Sequence, residues 1–135
     1  MGCWAIDSFG NDDAADWLYD LAEQKDLSLV KKTITQLLLV DGYLDASYAT
    51  EALAAIEVIA AALSRPTATA RANEDLMVWI ARVKQLPEQS LVADAIRAVD
   101  RILAPESELR ELWEDTDEFV AWQADVADLR AQLVR

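Results

Sequence analysis

The chain has no histidine, a single cysteine, three glycines and three prolines among its 135 residues. Without histidine, the Ser-His-Asp and Cys-His systems that activate a nucleophile have no base. One cysteine and no histidine also leave a structural zinc site or a histidine-ligated iron without ligands. Cys3 can form no intrachain disulfide, which fits a reducing compartment. Gly2, Gly10 and Gly42 are too scattered to make a phosphate-cradling loop. So little glycine and proline leaves few turns for a many-stranded β protein and favours long helices.

Basic residues are also scarce. Twelve Lys and Arg stand against 25 Asp and Glu, a formal charge of −13. Such a surface repels phosphate, so neither nucleic acid nor an anionic membrane is an expected partner, whereas basic proteins, peptides and divalent cations are compatible. The same charge also serves simply to keep a protein dispersed. The most apolar run, ALAAIEVIAAAL, is too short to cross a bilayer and carries Glu57 in its middle. No basic leader precedes an apolar segment, and the MGC start has Ile6 where acylation wants Ser or Thr. A cytoplasmic location is expected.

What is present reads as helix. Hydrophobic residues make up 53% of the chain, with alanine and leucine, both strong helix formers, dominant. The expectation is one all-α domain over residues 1–135, a compact antiparallel bundle of six or seven helices. Asn11 is a good N-cap, with Asp12 and Asp13 in the first turn and Ala14, Trp17, Leu18 and Leu21 on an inner face. A second helix is predicted over Ser28–Val40, closing at Asp41-Gly42. Asp45 is placed to cap a third, apolar nearly all round and running to about Leu63, as a central helix would be. SRPTATARA reads as a loop.

Asn73 then caps a fourth helix, and a fifth spans about Glu88 to Leu103. A short segment holds Leu109, Leu112 and Trp113. The last helix starts near Thr116, with a seam of Phe119, Trp122, Val126, Leu129 and Leu133 usable within the domain or against a second copy. Leu37, Leu53, Ile56, Ile80, Ile96 and Trp122 are the predicted core. Residues 1–26 carry seven acids and one base, and residues 105–135 nine acids and three bases, so the two ends would form one acidic surface if they lie together.

Three features bear on function. FGNDDAADW gathers oxygen ligands, Asn11, Asp12, Asp13 and Asp16, but DSFGNDDAAD has Phe9 where a calcium loop needs an acid and lacks the closing Glu. A capped helix with a solvated face is the preferred reading, and no cofactor or metal is expected. Glu57 lies among apolar neighbours, where a buried carboxylate needs donors. Trp4 Nε1 or backbone amides of the segment Cys3 to Phe9, lying across the third helix, are the candidates. Finally, Trp17, Trp79, Trp113 and Trp122 fall on apolar helix faces and read as core, leaving Trp4 outside any helix.

Two stretches resemble a known family. MG-x-W followed by F-x-NDDAADW, and then GYLDASYATEALAAIEVIAAAL with a nearby R-P, are similar to the bacterial domain-of-unknown-function family numbered 4259. The matching positions are Gly2, Trp4, Phe9, Asn11, Asp12, Ala15, Asp16, Tyr43, Leu44, Ala52, Leu53, Glu57, Val58 and Pro66; the family usually has glycine where this chain has Ala5. The resemblance implies a compact bacterial protein and supplies no activity and no catalytic residue. It does draw Trp4, Asn11, Asp12, Asp16 and Glu57 together as a candidate functional or structural network.

The leading reading is therefore a non-enzymatic acidic interaction domain that binds a basic protein partner or forms a homodimer, an immunity-like protein facing a basic toxin being one version by analogy. The alternatives are a metal-dependent, hydrolase-like enzyme using the N-terminal Asp cluster and Glu57, and a small-ligand binder with a tryptophan-lined pocket.

Overall fold

The computed structural model describes residues 9–134. The expectations for Trp4 and for the segment that precedes Phe9 lie outside these residues. Within them the chain forms eight helices: α1 (Asp12–Leu21), α2 (Ser28–Leu38), α3 (Ala46–Ala62), α4 (Ala68–Ala72), α5 (Glu74–Val83), α6 (Gln89–Leu103), α7 (Glu108–Glu114) and α8 (Phe119–Leu133). The class is all-α, as the periodicity indicates. The count is eight, not six or seven, because SRPTATARA is not wholly loop: Thr67 caps the five-residue α4 by accepting the Ala70 N–H. No strand occurs among the described residues. There is one isolated parallel bridge among them, in which the Leu44 N–H donates to Glu106 O and the Glu108 N–H to Leu44 O, each at 2.9 Å.

The bundle is organised around α3. Thirteen of its 17 residues are buried, and it packs against each of the other seven helices. Its alanines explain how. Ala49, Ala52, Ala54, Ala55 and Ala60 are fully buried, and small side chains let several helices approach one axis closely. The longer Leu53, Ile56, Val58 and Ile59 fill the space between them.

The outer helices bury a single stripe each, as amphipathic helices do. α2 contributes Val30, Ile34 and Leu37, α6 contributes Ala95, Ala98, Val99 and Ile102, and α8 contributes Trp122, Val126, Leu129 and Leu133. The α8 seam is thus consumed within the bundle. Leu37, Leu53, Ile56 and Trp122 are buried as predicted. Ile80 and Ile96 are only half-buried. α5 packs mainly on α3 and α4, so its core contact narrows to Leu76 and Trp79, and Ile80 falls at the edge of that stripe.

Helix ends differ from expectation in instructive ways. α2 stops at Leu38, not Val40, and Gly42 takes the left-handed turn at φ +82° just beyond it. Asp45 holds the N-cap position of α3 without capping it; the Ala46 N–H donates instead to Glu108 Oε1 at 2.7 Å, from the start of α7. α8 begins at Phe119 because the Thr116 hydroxyl accepts the Glu118 N–H and donates to Trp113 O. Arg101 ties the loops at this end by donating to Gly42 O and Glu106 O. At the other end of α3, Ser64 is left-handed (φ +66°). Its N–H bonds Ala61 O and the Arg65 N–H bonds Ala60 O, a helix stop usually built on glycine.

Candidate functional site

The acids at the start of α1 are set by local capping. Asn11 adopts an extended backbone and its Oδ1 accepts the Ala14 N–H at 2.9 Å, so the amide is committed to the helix end. Asp12 and Asp13 fill the first turn, where the helix dipole favours negative charge. Asp13 turns toward α3 and accepts a long hydrogen bond from the Thr50 hydroxyl at 3.4 Å. Asp12, Asp16, Asp20 and Glu23 point to solvent, and none of them forms an ion pair among the described residues. Nor do the described residues contain a group of three or more acids or thiols that could hold a metal.

The charge of α1 is felt on the neighbouring helix. The Glu51 carboxyl is pushed above its ordinary range, first by burial and then by repulsion from Asp13 and Asp20. Four carboxylates elsewhere have a cation or a hydroxyl to meet. Asp100 receives Arg130, Glu114 receives Arg110, Asp94 receives Arg97, and Glu111 accepts the Tyr43 hydroxyl. The two acidic ends of the chain do not merge into one helix pair: α1 packs chiefly on α3, while α8 packs on α6, α3 and α7.

Glu57 is buried in α3, only 1% exposed. The Thr67 hydroxyl donates to its Oε1 at 2.6 Å, a short O–H···O hydrogen bond. Because Thr67 Oγ1 also accepts the Ala70 N–H at 3.2 Å, the hydroxyl links the α4 N-terminus to the carboxylate as a short relay. The expected partners in the segment before Phe9 fall outside the described residues. Sequence reasoning misses Thr67 because SRPTATARA reads as an undifferentiated loop, although T-A-T-A after a proline is a legible capping signal.

Of the candidate network, Trp4 lies outside the described residues and the other four are placed as follows. Asn11 serves the α1 cap, Asp12 and Asp16 face solvent, and Glu57 lies in the interior. The Asp13 contact joins α1 to α3 at Thr50, and Glu57 sits seven residues, about 10 Å of helix, further along.

The four described tryptophans are all buried, each held differently. Trp17 Nε1 donates to Thr33 Oγ1 at 2.8 Å and Trp79 Nε1 to Gln24 O at 3.0 Å. Trp113 stacks on Trp122 (6.3 Å, 11° between planes), and Trp122 on Phe119, over whose ring the Arg110 guanidinium sits at 5.6 Å. Trp79 reaches a groove, between α1 and α5, of about 260 Å³, which it lines with Ala15, Leu18, Tyr19, Ala22 and Leu76. A wider depression of about 750 Å³ adjoins it along Phe9, the α4–α5 turn and Glu74. A polar hollow of about 460 Å³ beyond Thr67 brings Arg65 and Arg71 near Asp125 and Asp128. In it Arg65 donates to Gln132 O at the end of α8 and Arg71 to Pro66 O.

No curated protein and no solved structure matches the chain significantly. A family model, that of the domain of unknown function DUF4259, matches residues 2–125 and so runs from before α1 into α8. The match takes in the capped acidic start of α1, the alanine-rich α3 with Glu57, and Thr67 together, and on it this chain belongs to the DUF4259 family.

Proposed function

We propose that this protein is a non-enzymatic interaction domain of the bacterial cytoplasm, whose acidic surface binds a basic protein. The observation that carries the reading is the division of labour among its carboxylates. Glu57, Glu108, Asp13 and Glu111 are engaged by hydroxyls or backbone N–H groups. Asp12, Asp16 and Asp20 crowd one exposed flank of α1 at four-residue spacing, with exposed Glu23 just beyond its end, and none of the four has an ion pair among the described residues. Like charges so placed cost a helix roughly 0.2–0.5 kcal/mol per pair, a penalty that an opposing cationic surface would reverse. The lone Cys3 fits a reducing compartment.

The test is capture from a lysate of the source cell on the immobilised full chain. An unrelated acidic protein of matched charge serves as control, and elution is by salt. Enrichment of basic proteins over the control, released as screening rises, is the expected result. Identical capture by the control would overturn the reading.

A further inference from the structure

We infer that the groove between α1 and α5 docks an amphipathic helix of the partner, with apolar side chains inserted and basic residues over the α1 flank. This rests on the interaction-domain reading and names the site and the chemistry of its occupant. The groove has an apolar floor, Leu18, Leu76 and the ring of Trp79. The Trp79 N–H is already bonded to Gln24 O, so the indole offers the groove its ring and no polar atom. Ala15 and Ala22 keep the α1 wall low, and Tyr19, 75% exposed, stands at its edge.

The size favours a side-chain anchor over a small molecule. At about 260 Å³ the groove falls below the ~300–1,000 Å³ typical of small-ligand sites. From Ala15 to Ala22 the wall runs about 10 Å, two helical turns, which suits anchors spaced i, i+3 or i+4, and i+7 on an incoming helix.

Charge selects the class of occupant. Asp75 lines the α5 wall of the groove, while on α1 the exposed Asp12 and Asp16 lie beside the stripe of Ala15 and Tyr19, and exposed Glu23 follows two residues after the helix. Glu74 borders the adjoining depression. Arg82 brings a cation to one end of the groove, where its guanidinium donates to Ala22 O at 3.4 Å. An apolar helix flanked by Lys or Arg meets both the floor and the acids beside it. An acidic one would be repelled along the length of α1.

The probe is a fluorescent Leu/Lys amphipathic peptide of about five turns, titrated by anisotropy into the full chain, beside a peptide of the same composition in scrambled order. Binding of the amphipathic peptide should exceed that of the scrambled one by about tenfold or more. It should weaken with salt without vanishing, since screening removes only the ionic part. Ala15→Arg, an exposed change to a good helix former, should fill the wall and cut affinity at least about tenfold. The same change at exposed Ala93 on α6 should leave affinity within about twofold, α6 having its neighbours elsewhere.

Equal binding of both peptides, or equal losses in the two variants, would overturn the groove while leaving a diffusely acidic binding surface intact. Absence of binding by either peptide would remove the groove, and matched-charge capture from lysate would then decide the wider reading separately. Self-association that Ala15→Arg abolishes would assign the groove to a second copy and overturn the proposed occupant.

Discussion

Replacing Thr67 with valine removes one hydroxyl and preserves the side chain's shape, which makes it a sharp probe of the buried Glu57. Two hydrogen bonds disappear. The first is the 2.6 Å bond donated to Glu57 Oε1, and taking a donor from a buried acceptor costs roughly 1–3 kcal/mol. The second is the acceptor for the Ala70 N–H at the start of α4, an N-cap worth roughly 0.5–2 kcal/mol. Together they predict a loss of about 1.5–5 kcal/mol. With a urea dependence of ~1–3 kcal/mol per molar for a small protein, the unfolding midpoint should fall by on the order of 1–2 M.

Thr67→Ser retains both bonds and should stay within about 0.5 kcal/mol of the native chain. In a double-mutant cycle with Glu57→Ala the two losses should be non-additive by roughly 0.5–3 kcal/mol, as for groups in one network. Urea unfolding followed by tryptophan fluorescence measures each of these proteins. A Thr67→Val midpoint indistinguishable from that of the native chain, or additive losses in the cycle, would refute the relay between α4 and α3.

Three further outcomes test the local physics. Ser64→Gly should stabilise the protein by about 0.5–1 kcal/mol, seen as a raised melting temperature, because the left-handed conformation at φ +66° penalises a Cβ that glycine lacks. Asn11→Ala should cost about 0.5–2 kcal/mol through loss of the cap on the Ala14 N–H, measured by the same melt. Glu51 has a folded-state pKa raised by burial and by Asp13 and Asp20. The unfolded chain therefore loses this proton first, and the group's contribution to stability falls as pH rises through the ordinary carboxylate range to the raised value. Glu51→Gln should accordingly be more stable than the native chain at neutral pH. Its advantage should vanish by about pH 3, where both states are protonated; an advantage unchanged at that pH would contradict the assignment.

The family resemblance and the helical class are both written in the sequence itself, and for related reasons. A 3.6-residue period of apolar side chains, few glycines and prolines, and caps acting over three residues are all local signals. Asn11 and Asn73 illustrate them: each accepts an N–H three residues ahead, from Ala14 and Leu76. The apolar circumference of α3 likewise announces a central helix, because a helix without a polar face has nowhere stable to lie except among others.

Tertiary structure decides the rest, where the answer depends on what arrives from far along the chain. Asp45 stands at the right position to cap α3, yet Glu108, 62 residues beyond Ala46, makes the bond. Ile80 and Ile96 carry the right residue type and spacing for the core, but their share of burial depends on how many helices press on α5 and α6. Glu57 is legible as a buried acid in need of a donor. That Thr67 is one donor follows from the chain turning back at the left-handed Ser64, which brings the start of α4 onto α3. The α1–α5 groove leaves no mark in the sequence at all. Each helix by itself is an ordinary amphipathic helix, and the concavity with Asp75 on its wall exists only once the two are both held against α3.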